Sequence, residues 1–260
     1  MAVTISIAGG CDRSANPLLT ESAAPYGAPM FPQIKNEDYE PAFEQALQEA
    51  REEIADIANR TDAPTFANTI EALAYSGERL DWVSSIFFNL NEAHTNDTMQ
   101  ALAEKISPVL TEFSNDITLN AALFDRVRRV YAQRDSLQLT PEQSRLLEKT
   151  YKSFTRNGAA LSEMDNMRYR ELTAKLSQLT QQFSRNVLAA TNAYTLHITD
   201  SAQVAELPEF VREGAAAEAK ERGLQGWVFT LQYPSMSSFL TYSSNRELKE
   251  QLWRAYNSRA

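Results

Sequence analysis

Residues 36–60, NEDYEPAFEQALQEAREEIADIANR, decide how the rest of the chain is read. Tyr39, Phe43, Leu47, Ala50, Ile54 and Ile57 recur at spacings of four and three, which places them on one side of an α-helix reaching to about Arg60. One apolar stripe with charged residues between its members needs a second helix to cover it, so matching stripes are expected in the neighbouring segments.

Downstream, TDAPT at 61–65 breaks the helix. NTIE at 68–71 then sets Asn68 three residues before Glu71, a variant of the capping box, leading through Leu73 into a short helix that ends near Gly77. Leu80, Val83, Phe87 and Leu90 form the next stripe. HTND at 94–97 punctuates the chain before Met99, Leu102, Ile106, Leu110 and Phe113. The cluster SND at 114–116 is expected to separate that segment from the one holding Leu123, Val127 and Val130. TPEQ at 140–143 is the best start signal in the chain, with Thr140 as N-cap, Pro141 at the first helical position and Gln143 closing the box before Leu146, Leu147 and Tyr151. Ser162 and Asp165 open the longest periodic segment, in which Leu172, Leu176, Leu179, Phe183 and Val187 predict a long bundle helix. The pattern lasts too few heptads, before AATNA at 189–193, for a coiled coil.

The period then changes to two. In AYTLHITD, Tyr194, Leu196 and Ile198 alternate with polar residues, and in GWVFTLQYP, Trp227, Phe229, Leu231 and Tyr233 do the same. These stretches predict a small two-stranded element near 193–199 and 227–233, bracketing an Ala-rich helix stopped by Gly223. The fold class is therefore mainly all-α, a multi-helix bundle with one small β element. Residues 1–37 read as an extended N-terminal segment, since APYGAPMFPQIKNED at 24–38 carries three prolines and a glycine, and 38–260 as the helical region. In SSNRELKEQ at 243–251, Ser243 or Ser244 is the expected N-cap of a last helix. No Gly, Asn or Pro stop signal is read in QLWRAYNSRA at 251–260, so the chain is expected to be cut rather than finished.

Thirty-four acidic against twenty-five basic side chains give a net charge of −9, the wrong sign for neutralising nucleic-acid phosphates. The basic run RVRRVY at 126–131 is read as the solvated face of a helix. No apolar run approaches the roughly twenty residues a membrane-spanning helix needs. A single cysteine, Cys11, excludes an internal disulfide and a multi-thiolate metal cage. The run AVTISIAGG before Cys11 is similar to the tail of a bacterial lipoprotein signal, making Cys11 a candidate lipid attachment point. Ala8 stands where that pattern prefers Leu, and the basic start is missing. An envelope or periplasmic location follows if Cys11 is acylated, and a cytoplasmic one if it is not.

Hydrolytic chemistry needs a nucleophile, an activated water or a metal in a close array of side chains. Only His94 and His197 exist, and neither belongs to an H-E-x-x-H helix, so both are read as hydrogen-bonded or surface histidines rather than metal ligands. Glu52 with Glu53, and Glu112 with Asp116, are carboxylate pairs read as solvated helix faces. Gly9 and Gly10 precede no strand-to-helix unit and make no phosphate cradle. Trp82, Phe87, Phe88 and Phe113 are spaced for core packing. No catalytic, cofactor-binding or metal residue is assigned from the residues themselves.

Longer stretches carry more. NPLL at 16–19, PYGAPMFPQIKNEDYEPAFEQAL at 25–47, APTFANTIEAL at 63–73, WVFTLQYPS at 227–235 and NRELKEQLWRAYNSRA at 245–260 occur in an order that resembles the N-terminal half of bacterial peptidyl-dipeptidases, within the thimet-oligopeptidase-like zinc metallopeptidases. The resemblance implies a predominantly helical parent enzyme in two halves around a deep channel that admits short unstructured peptides, with C-terminal dipeptides as products. It implies a zinc helix in the C-terminal half, outside this sequence, and leaves this chain one wall and the roof of the channel. The partners it implies are short peptides and the chain's own C-terminal catalytic domain. The alternative is a self-contained helical binding or scaffold module of the same descent.

Overall fold

The computed structural model describes residues 16–260. They are mostly α-helical, with one two-stranded antiparallel sheet among the described residues. The chain divides into two compact units, one ending at Gln178 and the other spanning Leu179–Ala260.

The first unit is built on α1, Asn36–Ala58, whose start is set by the Asp38 carboxylate accepting the Lys35 N–H. All six stripe residues of the opening sequence are buried, and Phe43 is wholly inaccessible. The covering face comes from α3, Glu78–Ala93, through Leu80, Val83, Ile86 and Phe87. The Phe87 ring meets Tyr39, Phe43 and Phe88 edge-on, with centroids 5.0, 5.5 and 5.0 Å away. Such geometry sets positive ring edges on negative faces, and each full ring burial stabilises by about 2–3 kcal/mol. Upstream, turns and two single-turn 3-10 helices (Pro25–Gly27 and Phe31–Gln33) occupy the stretch predicted as extended. Asn16 fixes its start: its amide donates to the Asp38 carbonyl, its oxygen accepts the Leu18 N–H, and Leu18 is buried.

The remaining helices of this unit are α2 (Ala72–Tyr75), α4 (Asp97–Thr118), α5 (Ala121–Ala132) and α6 (Pro141–Arg156). Three expectations are corrected here. SND at 114–116 does not end a helix: α4 runs through it because Phe113 and Asn115 are buried, and the break falls at Asn120, which caps α5 by accepting the Leu123 N–H. Asn68 is not an N-cap. Thr65 is the cap, its hydroxyl accepting the Asn68 N–H while Asn68 Oδ1 accepts the Thr65 N–H, and the helical turn that follows, Phe66–Glu71, is a π-helix. The capping box at Thr140, Pro141 and Gln143 is as read.

The third correction is Arg126. The run RVRRVY predicts it on a solvated basic face, yet it is 5% exposed. Its guanidinium donates to the carbonyls of Arg60 and Asp62 at 2.9 and 3.0 Å and to Asn68 Oδ1 at 3.1 Å, with the Asp62 carboxylate 3.6 Å away. The loop leaving α1 and the Thr65–Asn68 cap are thereby tied to α5. A planar fork can serve these oxygens at once and a lysine ammonium cannot. Arg126→Lys should therefore lower stability in chemical denaturation by about 2–4 kcal/mol, whereas Arg129→Lys, on the exposed side of α5, should change it by less than about 0.5 kcal/mol.

The long predicted helix is α7, Glu163–Ala193, opened by Ser162, whose hydroxyl accepts the Asp165 N–H. The unit boundary falls within it. The long helix is found, but its periodic side is not packed away: Leu172, Leu176, Leu179 and Phe183 are 51, 64, 50 and 60% exposed, and Thr191 is the one buried residue of α7. Periodicity predicts the helix and its apolar side, and these side chains stand exposed along it.

In the second unit β1 (Thr195–Ile198) pairs antiparallel with β2 (Trp227–Thr230), Leu196 opposite Phe229 and Ile198 opposite Trp227. Between them runs α8, Glu209–Glu221, and after them α9, Tyr233–Tyr242, and α10, Arg246–Asn257. Val228, Phe229 and Thr230 are all buried, because both faces of β2 are covered, so its alternation disappears; Tyr233 belongs to α9 and is exposed. The Phe229 and Phe239 rings lie 4.6 Å apart in this smaller core. Gly226, at φ +94°, precedes β2 where a Cβ would come within 2.3 Å of the Ile198 carbonyl oxygen, so no other residue fits there.

Candidate interaction surfaces

The side chains weighed for chemistry are dispersed. His94 follows the last residue of α3 and is exposed. His197 is exposed on β1, with Nε2 2.7 Å from the Gln225 carbonyl oxygen. Among the described residues no three His, Cys, Asp or Glu side chains converge as metal donors, and this donor set does not fit a zinc site. Cys11, Gly9 and Gly10 lie outside the described residues. No helix of the described residues is long and apolar enough to cross a membrane.

The carboxylate pairs have structural partners. Glu53 accepts the Gly77 N–H at 2.7 Å, where the chain turns at positive φ into α3, and Glu52 accepts from Gln48. Glu112 and Asp116 both receive the Arg170 guanidinium, the latter at 2.9 Å, joining α4 to the first part of α7.

Two surfaces stand out instead. One is the exposed apolar side of α7. The other is an open cleft of about 650 Å³ in the second unit, lined by Leu240, Ser243, Ser244, Arg246, Lys249, Glu250 and Trp253. It lies where α9 turns into α10, and its position is set by a cap that differs from the one expected. Asn245, not Ser243 or Ser244, caps α10, accepting the Leu248 N–H at 3.1 Å, while the Ser243 hydroxyl accepts the Asn245 N–H. Ser244 and, more weakly, Ser243 donate to Glu206. The hydrogen bonds of Ser244, through side chain and backbone, hold the Glu206 carboxyl below its ordinary value of 4.5. The far end differs from expectation too. The helix closes at Asn257, where the Ser258 N–H reaches the Arg254 carbonyl and the Asn257 amide reaches that of Trp253, so a terminal amide does the capping that glycine usually does.

Residues 43–166 match the family described as "Neurolysin/Thimet oligopeptidase, N-terminal domain". The matched stretch runs from within α1 to the first turn of α7, and over it this chain is similar to that N-terminal domain. It is 41% identical to a dipeptidyl carboxypeptidase of Escherichia coli K12 over 246 residues, 94% of this chain and 36% of that protein. An oligopeptidase A of Haemophilus influenzae is 33% identical over 94% of this chain and 35% of its own length. A probable cytosolic oligopeptidase A of Arabidopsis thaliana is 25% identical over 95% and 36%. The chain thus spans about a third of the length of these relatives, and the similarity extends beyond the matched domain to include α7 and the second unit.

Because the Glu206 affinity for protons is lowered in the folded state, its contribution to stability is present above about pH 4.5 and is lost as pH falls through the folded value. Glu206→Gln should flatten the acid limb of a pH–stability profile measured by thermal melts between pH 6 and 3, relative to the unsubstituted chain.

Proposed function

We propose that this chain is the non-catalytic N-terminal part of a zinc metallopeptidase that hydrolyses short peptides and releases C-terminal dipeptides. The observation that carries the reading is the exposed apolar side of α7. Four large side chains at helical spacing, each at least half exposed, form a face of the kind that monomeric proteins keep covered. The relatives matched along this whole chain extend to nearly three times the matched length, and further chain of that kind is what the face would dock. The names of these relatives, a dipeptidyl carboxypeptidase and an oligopeptidase, supply the reaction class. Zinc and the groups that activate water belong, on this reading, to that further chain, since the donors here do not fit a metal.

The part played by this chain is then to form a wall of the channel in which peptides are enclosed. Enclosure excludes water and bulky competitors, and a wall of packed helices resists widening, which is what selection by substrate size requires. The rigid core around Phe87 and the Arg126 junction would supply that stiffness.

Two measurements test the proposal. Purified residues 1–260, supplied with zinc and a blocked tetrapeptide, should show no cleavage by mass spectrometry; chelator-sensitive cleavage that survives stringent purification would overturn it. The coding sequence after Ala260 should continue into an H-E-x-x-H motif, whereas an immediate stop codon would favour a self-contained helical binding module.

A further inference from the structure

The cleft at the α9–α10 corner combines features that the peptidase reading does not use. Arg246 and Lys249 sit on its α10 side, three residues apart and so on one face of the helix. Neither forms an ion pair with a described carboxylate; Glu206, tied to Ser244, is the acidic group whose charge lies near Lys249. The third charged group of the lining, Glu250, is neutralised by Arg254, with oxygen-to-nitrogen distances of 2.7 and 2.8 Å. The lining therefore presents two available cations.

Beside them, Trp253 is 55% exposed and Leu240 half-buried, which gives the cleft an apolar wall, and the Ser243 and Ser244 side chains add polar groups at its end. Exposed Trp beside Arg is the side-chain combination enriched where binding energy concentrates at protein interfaces. The setting matters as much as the cleft. A chain of net charge −9 repels acidic polypeptides over most of its surface, so a local pair of cations outside any direct ion pair selects where such a ligand can dock and in what register.

We propose that this cleft binds an acidic peptide segment carrying an apolar side chain, its carboxylates meeting Arg246 and Lys249 and its apolar group packing on Trp253 and Leu240. The volume of about 650 Å³ suits several residues of peptide rather than a lone inorganic anion. The inference rests on the second unit alone and stands whether or not the parent protein is a peptidase.

The test follows the Trp253 indole N–H by heteronuclear NMR, assigned with Trp253→Phe, while the intact chain is titrated with acetyl-Glu-Asp-Phe-Glu-Asp-amide, its Lys-for-acid counterpart or inorganic phosphate. The acidic peptide should shift the Trp253 signal and leave those of Trp82 and Trp227 in place, and raised salt should weaken the effect. Arg246→Glu with Lys249→Glu should reduce affinity by about tenfold or more. An acidic residue at the start of α10 suits the helix dipole, so the fold should tolerate the change. If circular dichroism shows otherwise, Arg246→Gln with Lys249→Gln takes its place. No shift with the acidic peptide, an equal shift with the basic one, an equal shift with phosphate alone, or unchanged affinity in the charge variants would each overturn the proposal.

Discussion

Burying a guanidinium costs less for every N–H that meets an oxygen in the plane of the fork, and in the first unit Arg126 does so at both terminal nitrogens, with two backbone carbonyls and an amide oxygen, while its Nε is buried without a partner among the described residues. The constraint reaches well beyond one side chain. The carbonyls belong to the loop that ends α1, and the third acceptor, Asn68 Oδ1, also receives the Thr65 N–H and the Thr69 hydroxyl. One amide oxygen thus sets the turn that follows, and one arginine sets the amide. The helix stripes give the unit its burial energy, but this junction decides which direction the chain takes between them.

The elements that depend on spacing were legible in the sequence. The stripe from Tyr39 to Ile57, the capping box at Thr140 and the two strands required only periodicity and local caps, and each is found. What the sequence hid were partners distant along the chain. Arg126 looks like Arg128 and Arg129 in a one-dimensional pattern, because its burial is created by carbonyls some sixty residues earlier. Likewise Ser243, Ser244 and Asn245 are equivalent candidates for a cap until the loop geometry assigns the cap to Asn245 and turns the serines toward Asn245 N–H and Glu206. The SND cluster misled because polar residues in a helix interior look like a break unless a partner such as Thr173, which Asn115 bonds at 2.9 Å, is known.

The candidate site divides in the same way. The wide separation of His94 and His197 along the chain could be read directly. The cleft at the α9–α10 corner could not, because it depends on Glu250 turning to Arg254 and leaving Arg246 and Lys249 outside any direct ion pair. Periodicity along α7 was equally visible, but periodicity reports only that a face is apolar. Whether anything covers that face is a property of the rest of the molecule.

The π-helical turn at Phe66–Glu71 has a consequence for chain length. A π turn holds a residue more than the α-helical turn it resembles, and here Thr69 and Ile70 are wholly buried within it. Six residues turned through roughly 80° each and five turned through about 100° each come to nearly the same rotation, so a turn shortened by one residue to α geometry would leave the chain on either side close to its present bearing. The wider turn therefore bears on what lies within it, the burial of Thr69 and Ile70, and not on the course of the helix that follows.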